Sequence, residues 1–259
     1  MSTLRHIDPK ARIAEKVEIG PFTTIEGDVE IGEGTWIGPN VTIMDGARIG
    51  RNCRIFPGAV ISAIPQDLKF EGEITTVEIG DNTTIRECCT INRGTKDKYK
   101  TVVGNNCLLM AYVHLAHDVK VGNNCIIANS ANIAGHVEIE DWVIIEGVVA
   151  VQQFIRLGQH SFIAGGSLVR KNVPPYVKAA REPLSYAGIN SVGLRRRGFE
   201  NETIAHIEDV YRMIYVHNSN MSRAIHAAEL ELPNTPEKEI ILRFIQESDK
   251  GIIRGPQGL

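Results

Sequence analysis

The sequence has few aromatic residues, no excess of charge of either sign, no paired cysteines and no long apolar run. Aromatic residues make up 6% of the 259 positions, so aliphatic side chains must fill any core. Lys and Arg number 28, Asp and Glu 31, and the net charge is -3. That balance argues against the bulk basic surface of a nucleic-acid binder. The five cysteines form no CxxC pair, which suits a reducing compartment better than a disulfide framework. No apolar run approaches the ~18–20 residues of a membrane span. Arg5, Lys10, Arg12, Glu15 and Lys16 interrupt the first twenty residues, so a secretory signal is not expected. The chain reads as soluble, without stable membrane insertion and, by default, cytoplasmic. With 43% hydrophobic and 23% charged residues it is not a disordered chain.

What the sequence does have is a period of six. Stepping by six from Ile7 to Val169 gives 28 positions, of which 25 are Ile, Leu or Val; the exceptions are Asp67, Glu73 and Asp97. A period of six fits neither a helix nor a two-faced strand. It fits a parallel β-helix in which each hexapeptide makes one short strand and one turn, and three make a triangular coil. Twenty-eight hexads predict about nine coils. Glycine often follows the aliphatic residue, as at Gly20, Gly50 and Gly104, and is expected to serve tight turns. Cys53, Cys89, Cys107 and Cys125 share a slot with Val and Thr four places after the aliphatic residue, which marks them as small core residues. Cys88 lies off that slot.

Two interruptions, 62–78 and 92–102, keep the phase and are expected to project as loops. The period ends at Val173-Pro174-Pro175-Tyr176, where proline should stop coil pairing. Helical spacing follows at Ile204, Ile207, Tyr211 and Ile214, and Thr235-Pro236 reads as an N-cap and first helical turn. The expected organisation is a β-helix over 1–177 and a small helical domain over 178–259 that caps its end.

Stacking turns offsets of 18 into neighbours. His117 then lies beneath Gly135, with Gln153 above, and His136 and His114 fall near the same corner beside Asp118. A histidine with a neighbouring carboxylate can act as a general base at neutral pH, and the Gly135 N–H could bind an oxyanion. Exposed turn histidines are the plain structural reading, and a zinc site is a third. Asn129, Gly147 and Gly165 form a column of small residues that either borders a groove or serves turns. Arg195-Arg196-Arg197 suits phosphate oxygens or is a solvated charged turn. Arg156, Arg170, Lys171, Lys178 and Arg181 add positive charge near the solenoid's end.

Several segments carry a resemblance when taken in order. They are Gln66-Asp67-Leu68-Lys69, Ile91-Asn92-Arg93-Gly94-Thr95, Ala116-His117-Asp118, Ala134-Gly135-His136-Val137, Val173-Pro174-Pro175-Tyr176-Val177 and Arg196-Arg197-Gly198-Phe199. Over nearly its whole length the chain resembles the UDP-N-acetylglucosamine acyltransferases that begin lipid A synthesis in Gram-negative bacteria. The resemblance implies a left-handed parallel β-helix with a small C-terminal α-helical domain. It implies transfer of an (R)-3-hydroxyacyl chain from acyl carrier protein to the 3-hydroxyl of UDP-N-acetylglucosamine. His117 is then the general base, Asp118 its orienting partner and Gly135 the oxyanion donor. Asp67, Lys69, His114, His136 and Gln153 line the substrate site. Asn190, Arg196 and Arg197 hold the nucleotide, and Asn129, Gly147 and Gly165 border the acyl groove, with Gly165 implying a long chain. The family is a homotrimer with sites between subunits. It needs no metal and no cofactor beyond the phosphopantetheine on the carrier. Gln152 and Val192 depart from residues common in the family, a histidine and an acid. That leaves an N-acyltransferase acting on a 3-amino UDP-sugar as the alternative.

Overall fold

The computed structural model describes residues 4–217 and 220–255. Short parallel strands stack into three sheets, of nine, eight and ten strands. The first sheet runs from His6–Ile7 to Leu168–Val169, the second from Arg12–Ile13 to Arg156–Leu157, and the third starts at Glu18–Ile19. Most strands contain two residues because the chain turns to the next sheet every six residues. The second residue of each is the periodic aliphatic one and points inward. Ile25, Ile37, Ile43, Ile55, Ile61, Ile85, Leu109, Leu115, Ile127, Ile133 and Ile145 are all fully buried. Like stacks on like: Leu115 pairs with Ile133, which pairs with Val151.

Three of the hexads contribute no strand to the solenoid. Ile61 pairs with Ile91 and Ile91 with Leu115, so strand pairing skips the hexads at Asp67, Glu73 and Asp97. These three lie in the loops; the 25 strands up to Val169, with the Leu157–Val173 bridge and the strand Val177–Ala180 beyond, make the nine coils expected. The loops are shorter than expected. Strands reach Ala63 and resume at Thr76, then reach Asn92 and resume at Lys100.

The glycine expectation is corrected too. Left-handed φ angles recur three residues after the aliphatic position, and asparagine often occupies them, as at Asn40, Asn52, Asn82, Asn106 and Asn124. Asn tolerates that region better than most residues. Cys88 (φ 57°) sits in this slot, which accounts for its place off the core. The glycines directly after the aliphatic residue have a different reason. A Cβ on Gly104 would lie 2.5 Å from the Gly122 carbonyl oxygen, and one on Gly50 would lie 2.5 Å from Asp81 Oδ1. They let one coil approach the next. The cysteine expectation holds: Cys53, Cys89, Cys107 and Cys125 are buried.

The solenoid does not stop at the double proline. Val177–Ala180 pairs in parallel with Phe162–Ile163, and Ser185–Ile189 adds antiparallel to it. The boundary expected at 177 therefore falls at the start of a strand. Four helices follow: α1 (Ser191–Arg196), α2 (Asn201–Arg212), α3 (Met221–Glu231) and α4 (Pro236–Gln246). Thr235 caps α4 by accepting from the Lys238 N–H, with Pro236 in the first turn. Ile204, Ile207, Val210 and Tyr211 form the buried face of α2. Arg156 ties the second sheet to the helices through Glu247 (3.4 Å) and the Phe244 ring (4.7 Å). No helix among the described residues is long and apolar enough to cross a membrane.

Candidate active site

The site occupies the corner between the first and second sheets. His114 opens one coil's two-residue strand in the first sheet, which Leu115 ends, and His117-Asp118 makes the following turn. One coil on, Gly135-His136 makes the equivalent turn, and the His136 N–H donates to the His117 carbonyl (3.1 Å). Asp118 and His136 both have left-handed backbones, φ 59° and 62°. That conformation aims their side chains along the corner.

Asp118 is fully buried yet richly solvated by protein donors. Its Oδ2 receives the Thr95 hydroxyl (2.6 Å) and His117 Nδ1 (2.9 Å), and its Oδ1 receives the N–H groups of Thr95 (3.0 Å) and Lys98 (3.3 Å). Burial alone would raise its pKa. The hydrogen bonds from Thr95 and His117 outweigh that and hold it below the usual carboxylate range. An ionised carboxylate only accepts, so His117 Nδ1 carries a proton, and in the neutral tautomer that this selects Nε2 is the acceptor. Nε2 has no hydrogen-bond partner among the described residues. Asp67 Oδ2 stands 3.9 Å from it.

Gly135 covers the histidine. A Cβ there would sit 2.6 Å from His117 Cε1, so no larger residue fits without displacing the ring. At some other turns the backbone N–H at this point of the hexad is taken by a side chain from another coil. Arg51, Asp81, Asn105 and Asn123 donate in succession to Asp81, Asn105, Asn123 and Asp141, a ladder along the corner between the second and third sheets. The Gly135 N–H has no such acceptor among the described residues. It is free for a ligand oxygen.

His136 meets the His117 ring edge-on at 4.9 Å and lies flat on Phe154 at 4.5 Å. Its Nδ1 is 3.0 Å from Asp97 Oδ2, although that contact is not aligned as a hydrogen bond. His114 Nδ1 meets the Thr90 hydroxyl at 2.7 Å, and burial lowers its pKa. Gln153 is exposed one coil above Gly135, with the Phe154 N–H donating to the Gly135 carbonyl. Asp67 is fixed by the Lys69 N–H on its Oδ1 (3.0 Å), while the Lys69 side chain is exposed. His117, Asp118 and His136 offer three ligand atoms within 4.8 Å of one another. Asp118 Oδ2 is shared among protein donors there, the nearer ones at hydrogen-bonding distance.

Other expected residues lie elsewhere. Gly165 stacks over Gly147, and Gly147 over Asn129: a Cβ on either glycine would lie 3.3 Å from the carbonyl oxygen one coil below. This column runs along the corner between the third and first sheets, at the opposite edge of the first sheet from His117. Within one chain this column and His117 do not meet. The arginine run is the end of α1 rather than a turn. Arg196 is exposed. Arg197 lies over Trp142 (5.2 Å) and reaches His160 Nδ1 (3.1 Å). Both polar atoms of the Asn190 side chain are engaged, Oδ1 capping α1 at Gly193 and Nδ2 donating to the His160 carbonyl.

Sequence reasoning gave no role to Thr95, Asp97, Lys98, Thr90 or Phe154. A signal existed for the second loop. Asp97 stands at an aliphatic position, and a carboxylate there cannot be filling a core.

The C-terminal residues 172–253 match the family model described as Udp N-acetylglucosamine O-acyltransferase, Domain 2. Residues 28–63 and 100–135 match the bacterial transferase hexapeptide model. An acyl-[acyl-carrier-protein]–UDP-N-acetylglucosamine O-acyltransferase from a Janthinobacterium species is 46% identical over 96% of this chain and 97% of its own length. The chain belongs to the UDP-N-acetylglucosamine O-acyltransferase family. A family member from Thiobacillus denitrificans is 41% identical over 96% of both chains. The crystal structure of a UDP-N-acetylglucosamine acyltransferase from Bacteroides fragilis superimposes with a TM-score of 0.96 at 52% identity, covering 98% of this chain and 100% of that one. The structure from Acinetobacter baumannii gives 0.94 at 40% identity, covering 98% and 99%. The fold is thus the family's left-handed parallel β-helix with a small C-terminal helical region.

Proposed function

We propose that this chain transfers an (R)-3-hydroxyacyl group from acyl carrier protein to the 3-hydroxyl of UDP-N-acetylglucosamine, the first step of lipid A synthesis, in the cytoplasm and as a homotrimer. The observation that carries this reading is the pairing of a free His117 Nε2 with an unengaged Gly135 N–H directly above it.

The sugar hydroxyl gives its proton to His117 Nε2 as its oxygen attacks the thioester carbonyl. The tetrahedral oxyanion is met by the Gly135 N–H. Collapse expels the phosphopantetheine sulfur, which takes the proton back from the imidazolium, leaving an ester and a thiol. Asp118 accepts from Nδ1–H throughout and stabilises the cationic ring. The four cysteines in core slots take no part. Asp67, Lys69, His114, His136 and Gln153 line the acceptor sugar. Asn190, Arg196 and Arg197 hold the nucleotide, with Asn190 acting chiefly by fixing the start of α1. Asn129, Gly147 and Gly165 border the acyl groove. The groove lies a sheet's width from His117 in one chain, so a neighbouring subunit's corner supplies it, as a trimer with shared sites requires. No metal or further cofactor enters these steps.

Purified protein incubated with UDP-N-acetylglucosamine, or with its 3-amino analogue, and a panel of acyl carrier protein thioesters tests this by mass spectrometry. The expected product is the 3-O-acyl sugar nucleotide with release of the carrier thiol. Acylation of the amino analogue alone would replace this reading with the N-acyltransferase.

A further inference from the structure

The catalytic corner changes character as it rises toward the C-terminal end. Stepping by whole coils from Ala116 and His117 gives Ala134 and Gly135, then Gln152 and Gln153, then Arg170 and Lys171. The register steps by 18 residues as far as Val169 and by 16 at Val173, so the turn that carries Arg170 and Lys171 is two residues shorter than those below it. The strand at His114 pairs with that at Asn132, which pairs in turn with Ala150 and Leu168, and Val173 bridges Leu157. The corner is therefore small beside the base, amide-bearing in the next layer and cationic in the last. The C-terminal segment adds a third cation. Lys171 Nζ donates to the Lys250 carbonyl (2.8 Å), and Lys250 Nζ lies 5.7 Å from the centre of the Phe154 ring, the same ring that stacks on His136.

Arg170, Lys171 and Lys250 are exposed, and none is in an ion pair among the described residues. Glu247, which shares a cavity wall with Lys250 and Phe154, is already engaged by Arg156. Asp249 is the remaining carboxylate on that wall. Three unpaired cations against the single unpaired carboxylate of Asp249, in a chain of net charge -3, mark a place for an anion.

We propose that Arg170, Lys171 and Lys250 form a phosphate-binding rim for the catalytic corner, and that its ligand is the diphosphate of the sugar nucleotide. The proposal rests on the acyltransferase reading above. Lys171 stands three coils above His117, about 14 Å at the spacing of paired strands, and its long side chain can reach back along the corner. In a UDP-sugar the diphosphate leaves ring carbon C1 and the acceptor hydroxyl C3, the two neighbours of C2. With the hydroxyl at His117 Nε2, the ring meets the glutamine layer and the diphosphate meets the cations. The order of chemistry along the corner matches the order of groups along the ligand.

Steady-state kinetics on the full-length protein test this with Lys171→Gln, Lys250→Gln, the double variant and Lys171→Arg. Losing charge-assisted hydrogen bonds to a phosphate should raise KM for UDP-N-acetylglucosamine about tenfold in the double variant. The expected kcat stays within twofold, and KM for the acyl carrier protein donor is unchanged. Inhibition by UDP should weaken by the same factor, and Lys171→Arg should restore most of the affinity. The phosphodiester of phosphopantetheine is the other phosphate that could reach this rim. A raised donor KM with an unchanged UDP-sugar KM would assign the rim to it and overturn the proposal, as would unchanged values for both. If Lys171→Gln proves misfolded by thermal melting, Lys250→Gln and Lys171→Arg carry the test. Failure of the parent reading looks different, because the wild-type protein would then make no acylated UDP-sugar.

Discussion

Gly135 lies so directly over His117 that a methyl group on it would sit 2.6 Å from the imidazole Cε1. The glycine keeps the ring in place and leaves its own N–H open to the reacting carbonyl. Gly135→Ala should therefore lower kcat at least ~100-fold, on the scale of losing one oxyanion donor. The crowding should cost ~1–3 kcal/mol of stability. Comparing activity with the thermal midpoint separates the two effects. Wild-type turnover in the alanine variant would remove Gly135 from the chemistry.

His117→Ala should reduce kcat by roughly 10²–10⁴, the usual worth of a general base, while the assembly state stays that of the wild type. Single-turnover assays and size-exclusion chromatography check both halves. Near-native activity would sink the assignment of the base.

Thr95→Val removes the hydroxyl that Asp118 Oδ2 accepts at 2.6 Å while preserving side-chain shape. Burial would then weigh more heavily on the carboxylate, and its pKa should rise. The acid limb of the pH–rate profile should move upward, with kcat down about tenfold and KM little changed. A profile superimposable on the wild type would mean that Thr95 only supports the loop.

His160 predicts a pH dependence of stability. Burial chiefly, helped by the Arg197 guanidinium and opposed by Asp141, pushes its pKa down to about 4 from an ordinary value near 6.5. The folded state thus favours neutral imidazole. This contribution is fully present above pH ~6.5 and is lost as pH falls toward 4, because the unfolded chain takes up the proton first. The thermal midpoint of His160→Asn should fall less steeply over that window than the wild type's. Parallel curves would contradict the assignment.

Gly165→Met should shorten the acyl chain that is preferred, since the side chain would project over an exposed column with Gly147 directly below. Product profiles from a mixture of carrier thioesters give the answer, and an unchanged profile would separate Gly165 from chain selection.

The solenoid was legible because its constraint is repeated. A single aliphatic position recurs at each hexad, and burial of Ile, Leu and Val there dictates strand, inward face and register together. The column His117–Gly135–Gln153 followed from the same arithmetic. Residues that reach the site from outside the period did not follow from it. Thr95 and Lys98 approach Asp118 through a loop whose path no periodicity fixes. Asn190 offered a polar side chain to reason with, but nothing in the sequence disclosed that both its ends were engaged by α1 and the His160 turn. The double proline misled for a related reason. Loss of a hydrogen-bond donor looks like an end, yet Val177–Ala180 pairs onward beyond it.

The 18-residue register from Leu115 through Ile133 and Val151 to Val169 makes the corner a graduated rule, marked every ~4.8 Å. Splicing one whole coil between His136 and Gln153 would leave every strand paired and every aliphatic residue facing inward. It would also carry the amide and cationic layers one graduation farther from the imidazole. The enzyme would keep its fold and its base but be measured for a longer acceptor. Spacing between chemistry and recognition is thus a property that this architecture can change by integer steps.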